Sequence, residues 1–289
     1  MIDAVFDTPA VVDRPGPAGA RRNGWGDRSL AAVAGVFALF LGLPVVTLVA
    51  RAIIDGSLAT AIVSPVVIDA LSLSLVTTVI SLAITVTLGL PLAFVLARRR
   101  FRGKGFIEAF VDLPIVLPPS VAGLALLLVL GRRGLLAAPL EVLGISVAFS
   151  TVAVILAQTF VAAPFFIRSA RTGIAAVDRD LEDAARVDGA SERQVLGAIT
   201  LPLAGASLAA GLVMTWARSL GEFGATIMFA GNVEGRTQTL PLVVYSQFQG
   251  GELDASIAAA AVLVLAAFGV LLAVRVFHWG RIMDARGLA

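Results

Sequence analysis

Long runs of apolar residues, separated by short polar segments, dominate the sequence. The runs cover approximately residues 30–50, 68–97, 111–130, 145–167, 203–230 and 255–277. Because about 20 apolar residues in an α-helix cross the hydrocarbon core of a bilayer, each run predicts a transmembrane helix. The pattern therefore predicts an all-α, polytopic membrane protein with six transmembrane helices. The second and fifth runs exceed the minimum length, which predicts tilt, kinks or extension beyond the bilayer.

The N-terminal residues 1–28 lack this pattern. They contain several Pro, Gly and Arg residues and show no apolar periodicity. A segment of this composition buries too little apolar surface to offset the entropy lost on ordering. We expect a disordered cytoplasmic tail at residues 1–28 and a membrane domain over residues 29–289.

One long helical segment, residues 174–202, is polar in an otherwise apolar chain. Its acidic and basic side chains interleave along the sequence, which predicts a charged helix with one narrow apolar stripe. Such a helix needs a surface to lie against. Gly189 is expected to end it, and Ser191 is expected to cap a second short helix. The residues of the predicted stripe are Ile174, Val177, Leu181, Ala184 and Ala185.

Lys and Arg residues are distributed unevenly between the two sides of the predicted membrane domain. If the N-terminus is cytoplasmic, the opposite side keeps only Arg51, Arg132, Arg133 and Arg236. Cytoplasmic loops carry an excess of Lys and Arg. This rule places both termini and the polar segment in the cytoplasm.

Composition excludes several classes of protein. The chain is 58% hydrophobic and 15% charged, with a mean hydropathy of +0.94, which is far too apolar for an ordinary soluble domain. Its pI near 9.9 does not indicate nucleic acid, because the basic residues lie at the ends of apolar runs, where membrane lipid is their natural partner. The absence of Cys excludes disulfides and thiolate metal sites, and with a single His we expect no metal site.

The third apolar run contains three prolines, which bend or break helices. They are Pro114, Pro118 and Pro119. Irregular backbone at membrane depth is tolerated only where protein or a water-filled cavity covers it. Two interpretations remain open: a bent helix beside a transport pathway, or a kink at the cytoplasmic end of the helix.

The fifth apolar run contains two charged residues, Arg218 and Glu222. A charge within a span costs on the order of 2.5 to 3.5 kcal/mol on insertion scales, so it usually faces a bundle interior or an aqueous cavity. The two residues are four positions apart and can form a structural ion pair. Alternatively, Arg218 together with Ser219 and Thr226 lines a path for an anion. Gly224, after Glu222, permits a helix break or a close helix contact.

The polar segment resembles the cytoplasmic EAA loop, E-A-A-x3-G-x9-I-x-L-P, of the membrane subunits of bacterial binding-protein-dependent ABC importers. Asp183 stands where the motif has Glu, which retains the charge on a shorter side chain. In that family the loop is the coupling helix, which inserts into a cleft of the ATP-binding subunit. We call residues 174–202 the coupling loop. The matching residues are Asp183, Ala184, Ala185, Gly189, Ile199, Leu201 and Pro202.

Further segments are similar to the molybdate permease branch of the sulfate/molybdate group of these importers. They are Leu113–Leu136, Ser219–Asn232 and Gly235–Gln249. Sulfate permeases are similar at the Gly-Glu-Phe-Gly core, whereas ATIMFAGN followed by GRTQTLPL is closer to the molybdate branch. The resemblance implies molybdate as substrate. Tungstate and sulfate or thiosulfate remain alternatives.

The resemblance implies a type I ABC importer permease fold in the bacterial inner membrane. It also implies a homodimer, a cytoplasmic ABC ATPase dimer that binds ATP and Mg²⁺, and an external oxyanion-binding protein. The chain has no Walker A sequence, so we expect no cofactor and no catalysis in this subunit. A proton-driven secondary anion transporter, with Glu222 as its carboxylate, and an intramembrane enzyme are the alternatives. The residues assigned to the translocation path or gate are Pro118, Pro119, Arg218, Ser219, Glu222, Gly224 and Thr226.

Overall fold

A computed structural model describes the backbone of residues 24–286 and the side chains of residues 29–272. Most of the predicted N-terminal tail, residues 1–23, lies outside this range. The first helix already begins at Gly24, before the predicted end of the tail. Within residues 24–286 the backbone forms fourteen α-helical segments, one π-helical turn and no strand, in agreement with the predicted all-α class.

The helices follow one another with short connections. In chain order they are α1 (Gly24–Ile54), α2 (Ser57–Ile62), α3 (Pro65–Arg98), α4 (Lys104–Val116), α5 (Pro119–Leu130), α6 (Ala137–Val142), α7 (Thr151–Ala176), α8 (Arg179–Val187), α9 (Glu192–Val195), the π-helical turn (Leu196–Thr200), α10 (Leu201–Leu203), α11 (Gly205–Leu220), α12 (Gly224–Phe229), α13 (Leu240–Gln249) and α14 (Leu253–Arg286).

Four helices, α1, α3, α7 and α14, are long and apolar enough to cross a membrane. Two bent pairs bring the number to as many as six if each pair counts as one span. The first pair is α4 with α5, and the second joins the helix over residues 192–203 to α11. The axes of the two pairs bend by 117° and 72°, respectively. Four of the six apolar runs therefore correspond to continuous helices and the third to the first bent pair, whereas the second bent pair covers residues 192–220 in place of the predicted fifth span, residues 203–230.

The third and fifth runs are interrupted for local chemical reasons. Leu117 precedes Pro118 and adopts an extended conformation, because a following proline disfavours the helical region. Pro119 then starts α5, where its missing N–H is not needed. In the fifth run the helix stops at Gly221, and α12 begins three residues later at Gly224.

The fourth run predicts a span from residue 145, but α7 begins at Thr151. Ser150 is the cap, since its hydroxyl oxygen accepts a hydrogen bond of 3.3 Å from the backbone N–H of Ala153. At the other end α7 continues to Ala176, nine residues beyond the predicted end at residue 167.

The chain divides into two compact units, residues 1–46 and residues 47–289. The described part of the first unit is the main part of α1, an almost entirely apolar helix. The second unit contains all the elements from α2 onward.

Within the second unit, α3, α7 and α11 pack around a small-residue seam. Phe166 and Ile167 of α7 belong to a buried apolar cluster beside these helix contacts. A Cβ atom on Gly211 of α11 would lie 2.8 Å from the Cβ of Ser169, so the glycine permits close helix approach. The Ser169 hydroxyl donates a hydrogen bond of 2.7 Å to the carbonyl of Ser207. The C-terminal end of α7 then enters the coupling loop.

Candidate functional site

The coupling loop begins with a break that its sequence periodicity did not indicate. The expected continuous helix from Ile174 is interrupted, because α7 ends at Ala176 and α8 begins at Arg179. Asp178 caps α8 by accepting a hydrogen bond of 3.0 Å from the backbone N–H of Asp180. The break re-orients the polar helix relative to the long helix that precedes it.

The C-terminal half of the loop is ordered by a glycine and a capping box. Gly189 has a φ of +91°, a conformation that residues with a side chain rarely adopt. Ser191 then caps α9, and its N–H donates a hydrogen bond of 2.8 Å to the side chain of Gln194. Ile199 and Leu201 are half-buried, whereas Pro202 is exposed at the start of α10. The glycine and the cap therefore give the loop a fixed path.

The predicted apolar stripe separates into two parts. Ile174 and Val177 are buried within the membrane domain, in a cluster with Ala204. By contrast, Leu181 is 51% exposed, Val187 is 87% exposed, and Ala184 is also exposed. α8 therefore presents apolar side chains on a charged, solvent-facing helix.

Asp183, the acidic residue of the matching motif, is exposed and paired within the loop. Its carboxylate accepts a hydrogen bond of 2.6 Å from Arg186, which also donates bonds of 2.7 and 3.1 Å to Glu192. The bonds to Glu192 and Asp183 raise the pKa of Arg186, and the bond from Arg186 lowers the pKa of Glu192. These contacts tie α8 to α9 across Gly189.

Sequence reasoning missed the acidic residue that faces inward. The side chain of Glu182 is 5% exposed, and its Oε1 accepts hydrogen bonds of 2.7 Å from Arg98 and 2.7 Å from Thr200. The same nitrogen of Arg98 donates to the carbonyl of Val177 at 3.2 Å. We call Arg98, Glu182, Thr200 and the Val177 carbonyl the Glu182 cluster.

The second group of predicted residues lies where α5 and α12 pack together. A Cβ atom on Gly224 would lie 2.8 Å from the Cβ of Pro119, and one on Gly123 would lie 2.6 Å from the carbonyl oxygen of Ala225. Pro119 of the third run and Gly224 of the fifth run, about 100 residues apart in sequence, are therefore in direct contact. Pro118 and Pro119 are themselves exposed.

The predicted pair between Arg218 and Glu222 is present, with Nη1 and Oε2 2.5 Å apart. The Arg218 side chain is 27% exposed, whereas Glu222 is buried. Glu222 also accepts a hydrogen bond of 2.7 Å from the backbone N–H of Ala225, so it caps α12. Ser219 and Thr226 are fully buried, and in the described part of the chain their hydroxyls have no hydrogen-bond partner. Of Arg218, Ser219, Glu222 and Thr226, Arg218 is thus the side chain that solvent reaches.

The described residues contain no group of three or more His, Cys, Asp and Glu side chains arranged to hold a metal ion.

The sequence of the chain matches one protein family and is similar to known permeases. Residues 89–286 match the family described as "Binding-protein-dependent transport system inner membrane component". The chain is 42% identical over 246 residues to the molybdenum transport system permease protein ModB of Mycobacterium tuberculosis, covering 85% of this chain and 91% of that protein. It is 35% identical over 246 residues to the molybdate/tungstate transport system permease protein WtpB of Pyrococcus abyssi, covering 85% and 92%, respectively.

Among solved structures, a bacterial alginate ABC transporter in complex with an alginate pentasaccharide-bound periplasmic protein has a similar chain. The TM-score is 0.69 at 20% identity, with coverage of 88% of this chain and 93% of that chain. At this identity the likeness establishes the fold, an ABC importer permease fold.

Proposed function

Because the chain belongs to the family of binding-protein-dependent transport system inner membrane components, we propose that it moves molybdate, and also tungstate, across the cytoplasmic membrane. It is a multi-pass permease subunit of an ATP-driven importer, and it does not itself hydrolyse ATP. The observation that supports molybdate as the substrate is the 42% identity to a molybdenum permease over 91% of that protein's length.

The exposed face of α8 supports docking to a cytoplasmic ATPase. Leu181, Ala184 and Val187 present apolar groups that have no cover in the described chain. An amphipathic helix whose apolar groups are exposed fits a hydrophobic groove on a partner. The proposed partner is an ABC ATPase dimer, which binds ATP and Mg²⁺ and moves the coupling loop when it closes. Leu181, Ala184 and Val187 form the proposed contact face, and the seven residues that match the motif are assigned to coupling with the ATPase.

The contact between α5 and α12 supports a gate. It joins the second half of the first bent pair to the short helix that follows the second pair, and discontinuous helices line substrate paths in many transporters. We assign Pro118, Pro119 and Gly224 to the gate, with Ser219 and Thr226 buried behind it.

Arg218 is the group proposed to meet the anion. Its guanidinium is partly exposed, and its pairing with Glu222 reduces the net local charge, so its attraction for a dianion is weak. Weak binding suits a transport path, because an ion that is held tightly is not released.

The assembly proposed is a homodimer with a central path, loaded from outside by an oxyanion-binding protein. The related alginate transporter has been seen in complex with a periplasmic protein, which supports such a partner. The excess of Lys and Arg in the loops on one side supports cytoplasmic termini and a cytoplasmic coupling loop.

Transport by the reconstituted complex tests this proposal. Proteoliposomes that contain this chain and its ATPase, supplied with the binding protein, are expected to accumulate molybdate and tungstate when ATP is enclosed. Sulfate uptake is expected to be much slower. Uptake that needs a proton gradient and proceeds without ATP contradicts the proposal and favours a secondary transporter, while preferential sulfate uptake contradicts the substrate.

A further inference from the structure

The Glu182 cluster connects four separate segments through one carboxylate oxygen and one guanidinium nitrogen. Arg98 is the last residue of α3, and Val177 follows the end of α7. Glu182 belongs to α8, and Thr200 ends the π-helical turn. Every hydrogen bond of the cluster therefore crosses between elements that the backbone joins only through turns or over long distances.

The burial of the cluster makes its geometry sensitive to its partners. An ionised carboxylate removed from water needs a matching cation and further hydrogen bonds. Glu182 obtains both, from Arg98 and Thr200, at 2.7 Å each. A displacement of α8 away from α3 and from the π-helical turn would stretch both bonds, so the bonds oppose a separate movement of this helix.

The π-helical turn determines which side chain meets Glu182. Such turns contain one residue more than the α-helical register allows, and they are frequent at functional positions. Here the extra residue lies within Leu196–Thr200, and the Thr200 hydroxyl also lies 3.4 Å from the carbonyl of Val195. The turn therefore presents the Thr200 hydroxyl to the carboxylate while the helix proceeds into α10 and α11.

The neighbouring acidic residue cannot make this connection. The Asp183 side chain is 68% exposed, and its partner Arg186 lies on the same helix. The bond between them lies within α8 and by itself reaches no membrane helix, although Arg186 also bonds to Glu192 of α9 and lies 4.0 Å from Glu182. The inward contact of α8 passes through Glu182.

We propose that Glu182 is a positioning residue that transmits displacement of α8 to α3 and to the helix leading into α11. It does so through its hydrogen bonds with Arg98 and Thr200. This inference rests on the proposed function, in which α8 docks on an ATPase. In chemical terms, a buried ion pair and one hydroxyl carry the mechanical connection between the ATPase contact and the spans.

The test uses the complete complex, with ATPase and binding protein, in proteoliposomes. The two variants are Glu182→Gln, which removes the charge, and Thr200→Val, which removes the hydroxyl while keeping the shape. Molybdate uptake and ATP hydrolysis are measured in the same vesicles. We expect both variants to bind the ATPase and hydrolyse ATP, while molybdate moved per ATP falls roughly two- to thirtyfold, the range over which mutations along such networks change coupling.

The matched control is Glu108→Gln. Glu108 forms an ion pair of 2.6 Å with Arg171, which joins α4 to α7 on the same side of the bundle but does not involve α8. For Glu108→Gln, the ratio of molybdate imported to ATP hydrolysed is expected to equal that of the unmodified chain. If Glu182→Gln does not accumulate in the membrane, the ratio measured for Thr200→Val decides the question.

An unchanged ratio in Thr200→Val, or an equal fall in Glu108→Gln, overturns the inference and leaves the cluster a purely structural role. Failure of the proposed function looks different: the unmodified chain would then neither bind the ATPase nor import molybdate. A working unmodified complex with unaffected variants contradicts the role of Glu182 alone.

Discussion

Gly224 lies so close to Pro119 that a Cβ atom on the glycine would be 2.8 Å from the proline Cβ. Replacing Gly224 with Ala should therefore push α12 away from α5, at a cost of about 1–3 kcal/mol for an overpacked contact. We expect slower molybdate uptake at equal protein abundance and unchanged association with the ATPase, measured by co-purification.

The control for this contact is Gly269→Ala in α14, where an added Cβ meets nothing within 4 Å. This variant should transport normally, because Ala favours the helix more than Gly does. Equal uptake by the two variants would mean that the spacing between α5 and α12 does not limit transport.

A double variant separates the two interpretations of Arg218. Arg218→Ala leaves the buried Glu222 carboxylate without its cation, and breaking such a pair costs about 3–5 kcal/mol. We therefore expect low membrane abundance. Adding Glu222→Gln removes the uncompensated charge and keeps a side-chain oxygen near the N–H of Ala225, so abundance should recover.

Uptake per molecule of the double variant then decides the role of Arg218. If Arg218 attracts the oxyanion, uptake remains impaired after abundance has recovered. If uptake recovers together with abundance, the pair is structural and the path proposed for the anion is wrong.

The positive φ of Gly189 predicts that the effect of a substitution there depends on which backbone conformations the new residue tolerates, and not on the volume of its side chain. Its φ of +91° is tolerated by Asn far better than by a β-branched residue, and the space around it is open. Gly189→Val should strain the turn by roughly 1–3 kcal/mol and weaken both ATPase association and uptake. Gly189→Asn should retain most of both, and equal loss in the two variants would argue that side-chain volume matters instead.

The Arg186–Glu192 pair predicts a simple pH behaviour. Because the hydrogen bond from Arg186 lowers the pKa of Glu192, the stabilisation is present above the ordinary Glu value of about 4.3 and is lost only as pH falls through the lower folded value. An NMR titration of ¹³C-labelled Glu carboxylates should show this low midpoint. Arg186→Gln should raise it, whereas Arg179→Gln on the same helix should not.

Continuous spans were the most predictable part of the fold. The run at 68–97 became α3 with only a few residues added at its start, and the run at 255–277 begins within two residues of α14. Uninterrupted apolar sequence longer than the bilayer thickness leaves few alternatives to a helix. Hydropathy alone was therefore sufficient to locate where these two helices begin, although α14 continues to Arg286, nine residues beyond the predicted end.

Interrupted spans were less predictable, because proline does not by itself determine where a helix breaks. Pro91 and Pro164 lie inside α3 and α7 without interrupting them, whereas Pro118 and Pro119 separate α4 from α5. Two consecutive prolines remove two N–H donors and force the preceding residue into an extended conformation. The two helices bend by 117°, and α5 packs against α12, a contact between distant parts of the sequence that no local pattern encodes.

The orientation of α8 was not predictable from its periodicity either. The stripe from Ile174 to Ala185 assumes one helix, but the break at Val177 and Asp178 changes the register between its two halves. Glu182 consequently faces inward, and Leu181 faces outward. The motif spacing identified the loop, although the residue that anchors it to the bundle became visible only through tertiary contacts.

The shortness of α12 has a mechanical consequence. A helix of six residues is far below the length that persists alone in water, so α12 depends on the Glu222 cap and on its contacts with α5. We therefore expect α5 and α12 to move together during a rearrangement. The neighbouring Gly221, which is exposed and has room for backbone rotation, is the natural hinge between that pair and the long helix α11.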